Sequence, residues 1–172
     1  MIRQAGLEDA AAISEIGLDS FRTAYEGTCG PDDLILHLDE FHAEAAVTRQ
    51  MNSPANNYLI AEHDSQPAGF AKVRDSSPLP ETSATKVIEL HQLYVSPKQQ
   101  RFGIGGQLVD ALVSFAREEA AQGIWLSAWE DASWAVNFYL KQGFATVGTT
   151  EFRLGRTVYT DLLMWRRVDS GN

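Results

Sequence analysis

Leu93-Tyr94-Val95-Ser96-Pro97-Lys98-Gln99-Gln100-Arg101-Phe102-Gly103-Ile104-Gly105-Gly106 reads as the end of a strand, a turn and the start of a helix. Upstream, Lys86 to Val95 alternates, which predicts a strand with Val87, Glu89, His91, Leu93 and Val95 on one face. Downstream, a helix is expected from about Gly103 to Ala121. Ile104, Leu108, Leu112 and Phe115 form its apolar stripe, and Gln107, Asp110, Ser114, Arg117 and Glu118 face outward. Gly103, Gly105 and Gly106 let the backbone approach a ligand closely, and a helix start leaves several N–H groups unpaired. Those donors and the positive end of the helix dipole make an anion site suited to a pyrophosphate. Arg101 adds a permanent cation. A Gly-x-Gly pattern is weak alone, because an ordinary strand-to-helix turn has it too. The segment lacks the Gly-Lys-Ser/Thr ending of a nucleotide-triphosphate loop, and no Gly-x-Gly-x-x-Gly sits in a leading βαβ unit.

Before this segment, Ile2 to Ala5 reads as a short strand and Asp9 to Phe21 as a helix through Ala12, Ile13, Ile16 and Leu18. Pro31 suits a first helical turn, and Leu34, Leu38, Phe41 and Ala45 continue a helical stripe. Asn52 to Asn57 breaks the pattern. Tyr58 to Glu62 and Ala68 to Val73 form a predicted hairpin, and Asp75 to Thr85, rich in Pro, Ser and Thr, an exposed loop. After the long helix, which Gly123 is expected to end, come a strand over Ile124 to Ala128 and a helix capped by Asp131 and left at Gly143. Phe144 to Val147 and Tyr159 to Trp165 are the last strands. The order is mixed α/β, and a central sheet flanked by helices is the natural packing. One domain over residues 1–172 is expected.

Composition narrows the function classes. The chain has 14 Lys and Arg against 23 Asp and Glu, a net charge of -9. That balance argues against a nucleic-acid surface, which needs a basic stripe, and favours a cationic substrate at a distance. Cys29 is the single cysteine, so no internal disulfide forms and a reducing compartment is expected. The start lacks a signal-peptide pattern and no apolar run is long enough for a membrane span, so a cytoplasmic protein is expected.

Leu93-Tyr94-Val95-Ser96-Pro97 followed by Gln100-x-x-Gly103-x-Gly105 resembles the signature strand, turn and helix of the GNAT acetyltransferase superfamily. Asn137-Phe138-Tyr139 with Gly143-Phe144 resembles its second motif, and the opening stretch from Ile2 to Ile13 its usual start. The resemblance spans most of the chain. It implies the GNAT fold: a mixed, mostly antiparallel sheet of about seven strands, splayed between the fourth and fifth, with acetyl-coenzyme A in the opening. It implies that backbone groups of Leu93, Tyr94 and Val95 hold the pantetheine. Gln100, Arg101, Phe102, Gly103, Ile104, Gly105 and Gly106 would hold the pyrophosphate, and Asn137 the cofactor arm.

The reaction implied is attack of a neutral amine on a thioester. It needs a base for the ammonium, an oxyanion donor and a proton for the departing thiolate. Tyr139 matches the family's acid tyrosine, although an aromatic packed beside Phe138 is the bland alternative. A backbone N–H near Leu93 suits the oxyanion. For the base three options stand: His91, Glu89 or solvent. Several polyamine acetyltransferases carry Glu where this chain has His91, and a histidine titrating near ~6.5 suits the task. No metal site is expected: His37 and His42 share no helix face and read as solvated residues. Cys29 has no base partner, and Trp125, Trp129 and Trp134 read as core or cleft wall.

One subgroup is closest. Phe21-Arg22-x-x-Tyr25, Glu89-Leu90-x-x-Leu93-Tyr94-Val95 and Trp125-Leu126-x-x-Trp129-Glu130 resemble PaiA-like bacterial polyamine acetyltransferases, as do Phe152-x-x-Gly155 and Asp161-Leu162-Leu163-Met164. That implies a small-molecule amine such as spermidine or spermine. Glu26, Asp32 and Asp33 in the acceptor segment fit a polycation, and equally a solvated surface. Acetylation of a protein N-terminus, a lysine or an amine antibiotic stays open, as does a non-catalytic acetyl-coenzyme A sensor. Many members of the family that it resembles pair through edge or C-terminal strands, so a homodimer stays open beside a monomer.

Overall fold

The alternation at Lys86 to Val95 becomes a strand in the middle of a seven-stranded sheet. The computed structural model describes residues 1–77, 79 and 81–169. Its strands are β1 (Ile2–Gln4), β2 (Asn56–His63), β3 (Gln66–Ser76), β4 (Val87–Val95), β5 (Gly123–Trp129), β6 (Ala145–Leu154) and β7 (Thr157–Arg167). Their spatial order is β1-β2-β3-β4-β5-β7-β6, antiparallel throughout except for β4 beside β5. The helices are α1 (Ala10–Tyr25), α2 (Pro31–Phe41), α3 (Glu44–Met51), α4 (Ile104–Glu118) and α5 (Ser133–Lys141). This is the expected GNAT fold.

Local chemistry explains most boundaries. Asp64 and Ser65, both left-handed, close the β2–β3 hairpin as a two-residue turn. The expected loop begins later than predicted, since Asp75 and Ser76 still pair in β3; residues 78 and 80 lie outside the described residues. The stripe from Leu34 to Ala45 divides into α2 and α3. The break falls at His42, whose carbonyl leaves the helical pattern and accepts the buried Ser14 hydroxyl at 2.7 Å. Gly123 does not end α4. Ala120 takes the left-handed turn there, and Gly123 opens β5, where a Cβ would collide with the indole of Trp165. Nor does Asp131 cap α5 with its side chain; Ala132 holds that position.

Two cores flank the sheet. On one face Leu108, Leu112 and Val109 of α4 pack on Val73, Ile88, Leu90, Ile124 and Leu126. On the other, Ile13 and Ile16 of α1 and Val47 of α3 pack on Tyr58, Ile60 and Phe70. Each buried side chain of this size contributes about 1.5–3 kcal/mol.

Two irregularities in β4 shape the molecule. First, β4 pairs with β5 only at Val87↔Gly123, Ile88↔Ile124 and Glu89↔Trp125. Beyond, β4 stays with β3 as far as Gly69↔Val95 and β5 stays with β7 as far as Trp129↔Asp161, so the sheet splits. Second, Lys72 pairs with Gln92 but Val73 with Leu90, leaving His91 as the extra residue of a β-bulge. The bulge inverts the alternation. Ile88 and Leu90, then Leu93 and Val95, face α4, whereas Tyr94 packs on the α1 side. The expected shared face of Glu89, His91, Leu93 and Val95 is therefore corrected: the first two and the last two lie on opposite faces.

Candidate active site

The splayed strands leave backbone groups exposed inside the sheet. Ser96 N–H donates to the Ala68 carbonyl at 2.9 Å, so the backbone groups of Ser96 and Tyr94 face β3. By alternation those of Leu93 and Val95 face the gap where β5 has departed. An extended amide chain laid there would pair with them as an added strand.

The gap leads to the turn before α4. Arg101 (φ 76°) and Gly103 (φ 74°) are both left-handed, and no side chain caps the helix. The N–H groups of Ile104, Gly105 and Gly106 therefore lack intrahelical acceptors and are free for an anion. Gln100 and Arg101 are exposed, and Phe102 stacks on His63 with ring centroids 4.6 Å apart. A Cβ on Gly105 would lie 3.1 Å from the Phe138 ring. This glycine thus lets α5 rest against the start of α4, which carries the exposed Asn137 and the neighbouring Tyr139 to the same end of the gap.

Tyr139 sits edge-on to Phe138 (5.1 Å) and Phe144 (5.8 Å). Burial pushes its hydroxyl far above the ordinary tyrosine value, so it holds its proton at neutral pH and stands as a hydrogen-bond donor. Tyr94 is raised in the same way by burial, and further by nearby Tyr25 and Tyr139.

On the opposite face, Arg74 grips Glu89 with Nη2–Oε1 at 2.7 Å and Nε–Oε2 at 3.1 Å, and His91 Nδ1 lies 3.0 Å from the same carboxylate. Burial works to raise Glu89, but the hydrogen bonds from His91 and Arg74 outweigh it and hold the group below its usual range. A carboxylate so engaged is a poor base. Burial lowers His91, against the pull of Glu89 and with help from Arg74 and Lys72, so its ring is neutral at pH 7. With Nδ1–H given to Glu89, a lone pair remains on Nε2, and a third of the side chain (33%) is open to solvent.

The rest of this face is an aromatic wall that sequence reasoning largely missed. Tyr25 of α1 stacks on Trp129 (5.5 Å) and meets Tyr159 edge-on (5.4 Å), with Phe152 at 5.8 Å. His37 and His42 join it, which corrects their reading as solvated residues. His37 stacks on Phe21 at 4.5 Å, His42 lies tilted against it at 5.0 Å, and His42 is 2% exposed. Among the acids, Asp33 accepts the Arg156 N–H at 3.2 Å and so secures the β6–β7 hairpin, while Glu26 and Asp32 are exposed. Asp161, quoted above only as part of the tail motif and given no role at the site, is buried on β7. Its signal was an acid inside an apolar strand. Trp134 is 70% exposed rather than core, and the Cys29 thiol lies against the Tyr25 carbonyl.

Comparison with known proteins gives one consistent picture. Residues 18–144 match the model described as the acetyltransferase (GNAT) family. The chain is 24% identical over 163 residues to an uncharacterized N-acetyltransferase of Lactobacillus delbrueckii subsp. lactis, covering 95% of this chain and 94% of that one. It is 31% identical over 128 residues to the N-alpha-acetyltransferase RimI of Mycobacterium tuberculosis, covering 74% and 75%. It also matches the crystal structure of PaiA N-acetyltransferase from Thermoplasma acidophilum in complex with coenzyme A, with a TM-score of 0.76, 20% identity and coverage of 97% and 98%.

Proposed function

The chain belongs to the GNAT acetyltransferase family, and from that premise we propose that it moves the acetyl group of acetyl-coenzyme A to a primary amine of a polyamine such as spermidine or spermine. The observation that carries the transfer is the open strand edge at Leu93 and Val95, which ends in the left-handed turn at Gly103. Both parts fit the cosubstrate: an amide-bearing arm for the edge and a pyrophosphate for the turn. In this reading Leu93, Tyr94 and Val95 align the arm. The turn from Gln100 to Gly106 takes the phosphates, and Asn137 contacts the arm from α5.

The acceptor arrives from the aromatic face as an ammonium ion. His91 removes its proton, since its ring is neutral and Glu89 stabilises the imidazolium that forms. The freed nitrogen forms a bond to the thioester carbonyl carbon, and a backbone N–H near Leu93 steadies the developing oxyanion. As the carbon–sulfur bond breaks, Tyr139 donates its proton to the departing thiolate, and the second proton shed by the acetylated nitrogen returns to Tyr139 through solvent.

Support for a polyamine comes from the Phe21 to Tyr25, Trp125 to Glu130 and Asp161 to Met164 motifs, from the likeness in fold to PaiA, and from the net charge of -9. The 31% identity to RimI favours a second reading, acetylation of a protein N-terminus. Thiol release from acetyl-coenzyme A, scanned over spermidine, spermine, diamines, aminoglycosides and N-terminal or lysine peptides, separates them. A polyamine-dependent signal that drops by about 10²-fold or more in Tyr139→Phe, with unchanged acetyl-coenzyme A affinity, is expected. Release driven only by peptides would replace the polyamine. Tight acetyl-coenzyme A binding with no release by any amine would favour a sensor.

A further inference from the structure

Asp161 is 7% exposed, and its neighbours give it no countercharge. Among the described residues no Lys, Arg or His forms a salt bridge with it, and its Oδ1 has no hydrogen-bond partner. The polar group that eases its charge is Ser127 on the adjacent strand. Burying a carboxylate without a partner costs several kcal/mol, and an apolar residue would suit the strand better on folding grounds alone. The position therefore calls for something outside the chain.

Its surroundings say what. Asp161 pairs with Trp129 across β5 and lies two residues from Tyr159 on the same face of β7. Trp129, Tyr159 and Tyr25 are mutually within 5.2 to 5.5 Å and form an aromatic wall beside the carboxylate. Ser127, which shares this face of β5, is exposed, so the face is open to solvent beside the carboxylate's strand neighbour. A carboxylate bordered by π-faces recognises an organic ammonium ion, through a charge-assisted hydrogen bond and cation–π attraction together. Asp161 stands beyond β5 and the gap from β4, more than two strand spacings or upwards of roughly 10 Å away. The nitrogen it holds is therefore remote from the one beside His91.

We propose that Asp161, walled by Tyr25, Trp129 and Tyr159, anchors a second ammonium group of the acceptor, so that the enzyme selects amines bearing another positive charge away from the reacting nitrogen. This rests on the acetyl-transfer reading but reaches beyond it, to the residue that chooses the substrate.

A four-carbon diamine and the matching amino alcohol, equal in length but differing in the second charge, provide the test. The wild-type protein is expected to prefer the diamine by at least about 30-fold in kcat/KM, mostly through KM. Asp161→Asn, close in shape but uncharged, is expected to lose that preference while binding acetyl-coenzyme A as before. A variant that keeps the preference overturns the anchor. Calorimetric titration of the diamine into the protein–coenzyme A complex separates the anchor from the chemistry. Binding that weakens about 30-fold in Asp161→Asn sustains the anchor even where neither amine is acetylated, a result that counts against the acetyl-transfer reading instead. No diamine binding by the wild type, or equal binding by both proteins, overturns it. Asp161→Leu serves as the folding control: relieved of a buried charge, it is expected to melt no lower than wild type while losing the diamine.

Discussion

His42 illustrates what burial does to a single ionisable side chain. Packed against Phe21 and close to the Gly17 backbone, it is almost wholly buried, and its pKa falls to about 3, first by desolvation and then by His37, Lys72 and His91. The sign follows from linkage. Above pH 6.5 the ring is neutral in both folded and unfolded chains and nothing is lost. As pH falls below 6.5 the unfolded chain takes up a proton that the folded chain refuses, so stability declines towards pH 3 and then levels. At pH 5 the loss is on the order of 2 kcal/mol, or roughly 4–8 °C in Tm. His42→Phe is expected to melt close to wild type at pH 7 and to lose much of this acid sensitivity. Thermal melts at the two pH values check it, and equal acid loss in both proteins would assign the effect elsewhere, His37 (about 4) being the next group. At this scale the packing of Tyr139 beside Phe138 and the place of Gly103 at the start of α4 were legible, because their neighbours in sequence are also their neighbours in space. His42 and Asp161 were not. What buries them comes from α1, β5 and β7, and no local pattern records that a polar residue will be enclosed.

The turn before α4 and the bulge in β4 are properties of elements rather than residues. Gly103 adopts φ 74°, where a Cβ is strained by about 1 kcal/mol, although it would meet nothing closer than the end of the Gln107 side chain at 3.9 Å. Gly103→Ala is accordingly expected to raise the acetyl-coenzyme A Kd several-fold, as the turn relaxes and its N–H groups lose alignment, with little change in the acceptor KM. Calorimetry for the first and steady-state kinetics for the second distinguish this from a general loss of folding. The helix itself was legible from Ile104, Leu108 and Leu112, whose spacing is intrinsic to the chain. The bulge was hidden. An extra residue at His91 leaves the composition of β4 unchanged, and it shows only against the register of β3, where Lys72 and Val73 skip it. That is why Glu89 and His91 were rightly put together yet placed on the wrong face relative to Leu93.

For the molecule as a whole, the charge of -9 sets a field that a compact cation feels before contact. Raising the salt from roughly 0.02 to 0.5 M shortens the screening length to a few ångströms, and kcat/KM for a polyamine is expected to fall several-fold. With a monoamine the fall should be smaller, and equal salt slopes for the two acceptors would remove long-range attraction from the account. The mixed sheet and its flanking helices were legible at this scale, because the order of strand and helix patterns survives errors of a few residues at each boundary. Which strands part was carried only by resemblance, since pairing partners are not written locally. The parting of β4 from β5 has one more consequence. Proteins normally guard an unpaired strand edge with charge, bulges or covering loops, since any passing polypeptide can adhere to it. Here the vulnerable border lies in the interior of the sheet, flanked by its own neighbours, and its defence is width. A slot between two diverging strands bars a chain that carries side chains on both sides, while admitting a thin thread of bare amides.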